Sequence, residues 1–207
     1  MKKNNYIAVF IAFAILVAAD SCTLKESREH NSAQDASSQT AISDESIFNL
    51  TEDWHTQNND SIKLVDLQGK VLVVVMIYTS CKVACPRLVA DMRDIESKIS
   101  KDNLSELNFV LVSIDPEVDN PARLKAFAIE NQMDANHWTF LQGTTSGVQE
   151  FANVLAVKYK QIAPMDFSHS NIISVFNRQG VLVHQQEGLG VNNKETIDTI
   201  LQTLKSS

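Results

Sequence analysis

The chain has 207 residues, 44% of them hydrophobic, and a formal net charge of -7. This length and composition allow one folded domain with a sizeable core and some additional segments. The acidic balance argues against a nucleic-acid partner and against a basic membrane-surface patch. The three cysteines, Cys22, Cys81 and Cys85, are too few for a disulfide scaffold.

The first 22 residues have the organisation of an export leader. After two lysines, residues 6–19 are almost purely apolar, which suits a signal peptide and is short for a membrane span of about 20 residues. The end of the stretch resembles the site where bacterial lipoprotein precursors are cut before a cysteine, here Cys22, that is then lipidated. Ordinary cleavage after Ala19 and an uncleaved anchor are the alternatives. All three place the rest of the chain outside the cytoplasm, with a membrane contact through the N-terminus in the first and third.

A polar segment separates this leader from the folded domain. Residues 23–44 are rich in Ser, Gln, Asn, Asp and Glu, a composition that buries too little apolar surface to fold, so we predict a flexible linker. The domain is predicted over residues 45–207. It should open with an extra β-hairpin of two short strands, residues 48–51 and 62–65, joined by a polar turn.

The domain continues as alternating strands and helices. Residues 71–78 and 107–114 are continuous apolar runs, the pattern of strands covered on both faces. Helical spacing of apolar residues follows each of them, and the chain closes with a predicted antiparallel hairpin and a last helix. The order β-β-β-α-β-α-β-α-β-β-α indicates an α/β fold with a central mixed sheet flanked by helices.

The segment from Tyr78 to Pro86 carries the chemistry. Cys81 and Cys85 stand at the exit of a strand and in the first turn of a helix, where residues four apart share one face. Their spacing suits either a disulfide or a soft metal ion held between two thiolates. The unpaired N–H groups at the helix start favour the thiolate form.

His169 is the best candidate for a third metal ligand, because it precedes the terminal hairpin. Two sulfurs and an imidazole suit copper in both oxidation states, whereas zinc usually takes a fourth ligand. Asp115, at the end of the neighbouring strand, is a candidate partner for the ligands.

Taken in order, these motifs resemble the Sco/SenC family of thioredoxin-like copper proteins. The resemblance covers about residues 45–205 and rests on the segments Gly69-Lys70, Tyr78-Thr-Ser-Cys-Lys-Val-Ala-Cys-Pro86, Leu111-Val-Ser-Ile-Asp-Pro-Glu117, Trp138-Thr-Phe-Leu-Gln-Gly143 and His169-Ser170. It implies a thioredoxin-like fold and a copper ion, Cu(I) or Cu(II), bound by Cys81, Cys85 and His169. It also implies copper delivery to the binuclear centre of cytochrome c oxidase, or reduction of the cysteines of that centre.

Two functions follow from this resemblance. The first is an extracytoplasmic copper metallochaperone that hands its metal to an oxidase subunit or another cupredoxin-like protein. The second is a thiol–disulfide oxidoreductase, in which Cys81 and Cys85 are catalytic and a thiol reductant restores them. The family usually has Pro-Asp after the first cysteine, and this chain has Lys82-Val83. The added cation favours thiolates and can shift the pair toward disulfide exchange.

Overall fold

The computed structural model describes residues 42–82, 84–164 and 166–206. The predicted leader, residues 1–22, and nearly all of the predicted linker, residues 23–44, lie outside these ranges, so both stay predictions. Within the described ranges, no helix has the length and apolar character needed to cross a membrane.

Strands and helices alternate along the described chain. The strands are β1 (Asp53–Thr56), β2 (Ser61–Lys63), β3 (Val71–Ile77), β4 (Leu107–Ser113), β5 (Trp138–Gln142), β6 (Tyr159–Ala163), β7 (Asp166–His169), β8 (Ile172–Phe176) and β9 (Leu182–Glu187). The α-helices are α1 (Ala84–Ser97), α2 (Lys101–Leu104), α3 (Pro121–Glu130), α4 (Thr145–Val154) and α5 (Lys194–Lys205).

Seven of these strands form one mixed sheet in the order β2-β1-β5-β4-β3-β8-β9. Strands β3, β4 and β5 are mutually parallel, and the remaining pairs are antiparallel. Every residue of β3 and β4 is buried, as expected for continuous apolar strands with helices covering the sheet. The predicted α/β class, the mixed sheet with flanking helices and the antiparallel terminal hairpin are confirmed.

The parallel register brings two loops to one edge of the sheet. Ile77, the last residue of β3, pairs with Ser113, the last residue of β4. The residues that follow each strand therefore meet at the same edge. The cysteine segment leaves β3 there, and the acidic segment 115–119 leaves β4 there.

The N-terminal hairpin exists, but its predicted first strand is wrong. Residues Ile47–Asn49 form a 3-10 helix, capped by the Ser46 side chain, which accepts a hydrogen bond from the Phe48 N–H. The hairpin uses β1 and β2 instead, with the buried Trp54 on β1. The predicted second strand ends at Lys63, where another 3-10 helix, Leu64–Leu67, begins.

A second hairpin, β6–β7, was not predicted. It forms its own two-stranded sheet, separate from the seven-stranded one. Most residues of β6 are exposed, so the segment lacks the alternating apolar pattern by which a strand is normally found. This hairpin matters for function because His169 is the last residue of β7.

Candidate metal centre

The two cysteines lie together at the carboxyl end of β3. Cys81 is in the short loop after the strand, and Cys85 is in the first turn of α1. The backbone N–H of Cys85 donates a hydrogen bond to the Cys81 sulfur over 3.3 Å. The two cysteines are not joined by a disulfide, and Cys81 is half-buried whereas Cys85 is fully buried. The structure thus brings the two predicted thiols together and leaves Cys81 the more accessible of them.

Burial is the main influence on the pKa of the Cys85 thiol. Loss of water raises the pKa of Cys85 well above its ordinary value, and the neighbouring Cys81 raises it further, against a hydrogen bond from the Tyr78 backbone. The expected thiolate-favouring effect of the helix start is therefore outweighed at Cys85. At Cys81, the sulfur accepts the Cys85 N–H of that first helical turn.

A buried carboxylate holds the loop that carries Cys81. Asp119 is 0% exposed and accepts hydrogen bonds from the Thr79 N–H (2.9 Å) and the Ser113 hydroxyl (2.7 Å). The Thr79 hydroxyl is bonded to its other oxygen, and Arg123 forms an ion pair with it at 3.5 Å. Asp119 therefore joins the end of β3, the end of β4 and the start of α3.

The sequence singled out Asp115 in this segment and missed Asp119. Asp115 is 7% exposed, and its Oδ2 atom has no hydrogen-bond partner among the described residues. Burial, followed by the negative charge of Asp119, raises the pKa of Asp115. The negative charge of Asp119 also contributes to the raised pKa of Cys85, so Asp119 is the acid that acts on the thiol pair.

His169, the last residue of β7, packs against Tyr78. Its Nδ1 atom is 3.0 Å from the Ser170 carbonyl oxygen, and its ring meets the Tyr78 ring edge-on with centroids 5.8 Å apart. Its Nε2 atom is buried and has no hydrogen-bond partner in the described chain. Burial lowers the pKa of His169, so the imidazole is neutral and Nε2 is available as a ligand at neutral pH.

The three predicted ligands are thus neighbours of a single tyrosine. The Tyr78 carbonyl accepts a hydrogen bond from the Cys81 N–H, and the Tyr78 ring contacts the His169 ring. Within the described ranges no three His, Cys, Asp or Glu side chains are grouped closely enough to hold a metal ion. The set Cys81, Cys85 and His169 stays a prediction, in which the imidazole has to approach the thiols.

A groove of about 410 Å³ runs beside the half-buried thiol. It lies between the cysteine loop and the β6–β7 hairpin, and its lining residues are Tyr78, Ser80, Cys81, Lys82, Ala84, Pro164, Asp166 and Phe167. The groove gives a metal ion or a partner side chain a route to Cys81.

Fold and site together define a class: an α/β protein with a cysteine pair between a central strand and the helix that follows. Comparison with solved structures shows that this fold is the thioredoxin-like fold of Sco proteins. A SCO1/SenC family lipoprotein from Bacillus anthracis str. Ames superposes with a TM-score of 0.68 at 22% identity, covering 75% of this chain and 94% of that one. Yeast Sco1 with copper bound superposes with a TM-score of 0.63 at 20% identity, covering 75% of this chain and 87% of that one.

The chain belongs to the SCO1/SenC family, whose family model matches residues 39–205. Among curated proteins, it is similar to the SCO1 protein homolog of Bacillus subtilis (strain 168), with 33% identity over 100 residues. The aligned stretch covers 48% of this chain and 51% of that protein. The chain spans about half the length of the curated relatives it matches, 51% and 56%. A further similar structure is that of BsSco, a member of the Sco family of cytochrome c oxidase assembly proteins in which a disulfide switch was identified. It superposes with a TM-score of 0.66 at 24% identity and covers 75% of this chain and 92% of that one.

Proposed function

We propose that this protein is an extracytoplasmic copper metallochaperone that supports maturation of the copper centre of cytochrome c oxidase. Family membership and the copper-bound structures of yeast, Arabidopsis thaliana and Bradyrhizobium japonicum relatives support the metal. The similarity to BsSco supports an oxidase subunit, or another cupredoxin-like protein, as the recipient.

One observation carries this proposal: two adjacent thiols and a buried imidazole nitrogen without a hydrogen-bond partner in the described chain are connected through one tyrosine. A buried polar atom normally has a hydrogen-bond partner or a ligand. His169 Nε2 has no protein partner in the described chain, and its ring packs against Tyr78, whose carbonyl accepts the Cys81 N–H. The donor set fits copper, since thiolates suit Cu(I) and imidazole helps to retain Cu(II).

Binding at this site is coupled to proton release. The raised pKa of Cys85 means that its thiol gives up a proton when a metal binds. Copper affinity should therefore rise with pH. Because Cys81 lines the open groove and Cys85 is buried, a recipient reaches the metal from the Cys81 side.

The proposed location follows from the predicted leader. A lipidated Cys22 would tie the domain to the outer face of the membrane through the linker, and the lipoprotein relative from Bacillus anthracis str. Ames supports an envelope location. Mass measurement of the mature N-terminal peptide tests this, because lipidation, cleavage after Ala19 and an uncleaved anchor give three different masses.

Copper titration of the fully reduced protein tests the function. Cu(I) affinity is measured against a competing chelator, and Cu(II) binding is followed by electron paramagnetic resonance, which detects nitrogen ligation. We expect one copper per chain, strong loss of binding without either cysteine, and weaker Cu(II) binding with loss of nitrogen ligation in His169→Ala. His55→Ala is the matched control, since His55 is exposed on β1. If His169→Ala retains copper as well as His55→Ala does, the three-ligand site is wrong.

Disulfide reduction is the second candidate, favoured by the different burial of the two thiols. The Cys81 thiolate would attack a partner disulfide and release one partner thiolate, leaving a mixed disulfide. The Cys85 thiol would then lose its proton and attack the Cys81 sulfur, releasing the second partner thiol. The partner gains two electrons, this chain ends as the Cys81–Cys85 disulfide, and an external thiol reductant restores it.

The two candidates differ in their dependence on His169. Disulfide exchange needs only the cysteines, so His169→Ala should leave its rate unchanged. A parent protein that reduces disulfides rapidly but never retains copper would refute the metallochaperone and support the reductase.

A further inference from the structure

The position of His169 depends on a hairpin that has little support of its own. Strands β6 and β7 pair only with each other in the described chain, outside the seven-stranded sheet. An isolated two-stranded hairpin is marginally stable in water. The place of β7 beside the cysteine loop therefore depends on the side-chain contacts that join the two.

Tyr78 makes those contacts. It directly follows β3 and is 3% exposed. Its hydroxyl lies 2.9 Å from Asp166 Oδ1 and 3.2 Å from the Phe167 carbonyl oxygen, to which it can donate, and it accepts from the Phe167 N–H at 3.3 Å. Its ring meets the rings of Phe167 and His169 edge-on, with centroids 5.2 Å and 5.8 Å away.

The same residue is tied to the first thiol. The Tyr78 carbonyl accepts the Cys81 N–H at 3.2 Å. Tyr78 thus connects the Cys81 loop with β7.

We propose that Tyr78 is a positioning residue: its hydroxyl holds β7 against the cysteine loop and so sets where His169 stands relative to Cys81 and Cys85. This rests on the proposed copper site, to which it adds a residue that is not itself a ligand. The consequence is selective. Loss of the hydroxyl affects the imidazole ligand and leaves the two thiols in place, because Asp119 holds their loop independently.

The test is Tyr78→Phe, which keeps the ring and removes the hydroxyl. Cu(II) affinity, which uses the imidazole, should fall by about tenfold, the equivalent of one hydrogen bond of about 1.4 kcal/mol. Cu(I) affinity, set by the thiolates, should stay unchanged within error. Asp166→Ala should reproduce the loss, and Asp166→Asn, which retains an acceptor oxygen, should restore most of the affinity. A general loss of folding would instead lower both copper affinities together.

Tyr159→Phe is the matched control. Tyr159 lies on β6 of the same hairpin, contacts Phe167, and its hydroxyl has no hydrogen-bond partner within the described ranges. Removing that hydroxyl should change neither affinity.

A double-mutant cycle with His169→Ala decides whether Tyr78 acts through His169. Tyr78→Phe should have no further effect on Cu(II) affinity once His169 is absent. If His169→Ala weakens Cu(II) binding but Tyr78→Phe does not, or if the two losses add, the positioning role is refuted and the copper site stands. If His169→Ala has no effect in the parent, the imidazole ligand fails, and the role of Tyr78 fails with it.

Discussion

Asp119→Ala should destabilise the protein strongly, although Asp119 is neither a cysteine nor a proposed ligand. The carboxylate is 0% exposed and accepts from the Thr79 N–H and the Ser113 hydroxyl, and Arg123 neutralises it at 3.5 Å. Without it, the Ser113 hydroxyl and the Thr79 N–H lose their acceptor, at about 1–3 kcal/mol each. Arg123 is partly exposed and can turn to water, so its loss adds little.

The sum is a fall of about 2–6 kcal/mol in the free energy of unfolding. Denaturant unfolding of the reduced protein measures it as a lower midpoint at unchanged slope. The matched control is Asp134→Ala, an exposed aspartate in the loop before β5, which should change stability by less than about 0.5 kcal/mol. A loss at Asp119 as small as that of the control would refute the claim that this carboxylate holds the cysteine loop.

Two further predictions concern Asp115 and Gly143. Burial and Asp119 raise the pKa of Asp115 in the folded state. Above about pH 3.8, its ordinary pKa, the folded protein therefore keeps a proton that the unfolded chain loses, and the free energy of unfolding falls as the pH rises. Asp115→Asn should therefore stabilise the protein at pH 7 and lose this advantage below about pH 4 in unfolding measured across pH; an equal advantage at both pH values would contradict this. Gly143→Ala should lower the free energy of unfolding by about 1–3 kcal/mol, because the added Cβ would lie 2.6 Å from the buried Trp54 ring. An unchanged free energy of unfolding would show that the ring can move aside.

The central part of the fold could be predicted because its signal is local. Continuous apolar runs predicted β3 and β4, and the helical spacing after Pro86 predicted α1. The thiol pair followed from that arrangement, since a strand exit and the next helix turn are fixed by the chain itself. The strand expected at residues 48–51 failed because Ser46 caps a 3-10 turn, and the buried side chain of Phe48 gives the same apolar signal in either conformation.

The rest of the site depends on pairings that no local pattern reveals. Asp115 and Asp119 are both aspartates and lie four positions apart, so only the fold shows which of them accepts the hydrogen bonds. Tyr78 and Asp166 are 88 residues apart, and Asp166 begins a strand of four residues whose partner, β6, is mostly exposed. His169 was predicted as a ligand because it matched a family motif, and that prediction stays untested; its place relative to the thiols has no local signal in the sequence.

The two connections at the cysteine loop act on consecutive residues and lead to different parts of the fold. Thr79 binds Asp119, which belongs to the segment between β4 and α3, while Tyr78 binds Asp166 on the separate hairpin. The first connection leads through Asp119 to Ser113 on β4, so it ties the cysteine loop to the central sheet. The second is to the β6–β7 sheet, which pairs with no other strand of the described chain. In the proposed copper site, thiols held from the central sheet would bind Cu(I) through sulfur alone, and the imidazole on the hairpin would add nitrogen when the metal is oxidised. Removing Asp119 should therefore disturb both copper states, whereas removing the Tyr78 hydroxyl should disturb only Cu(II).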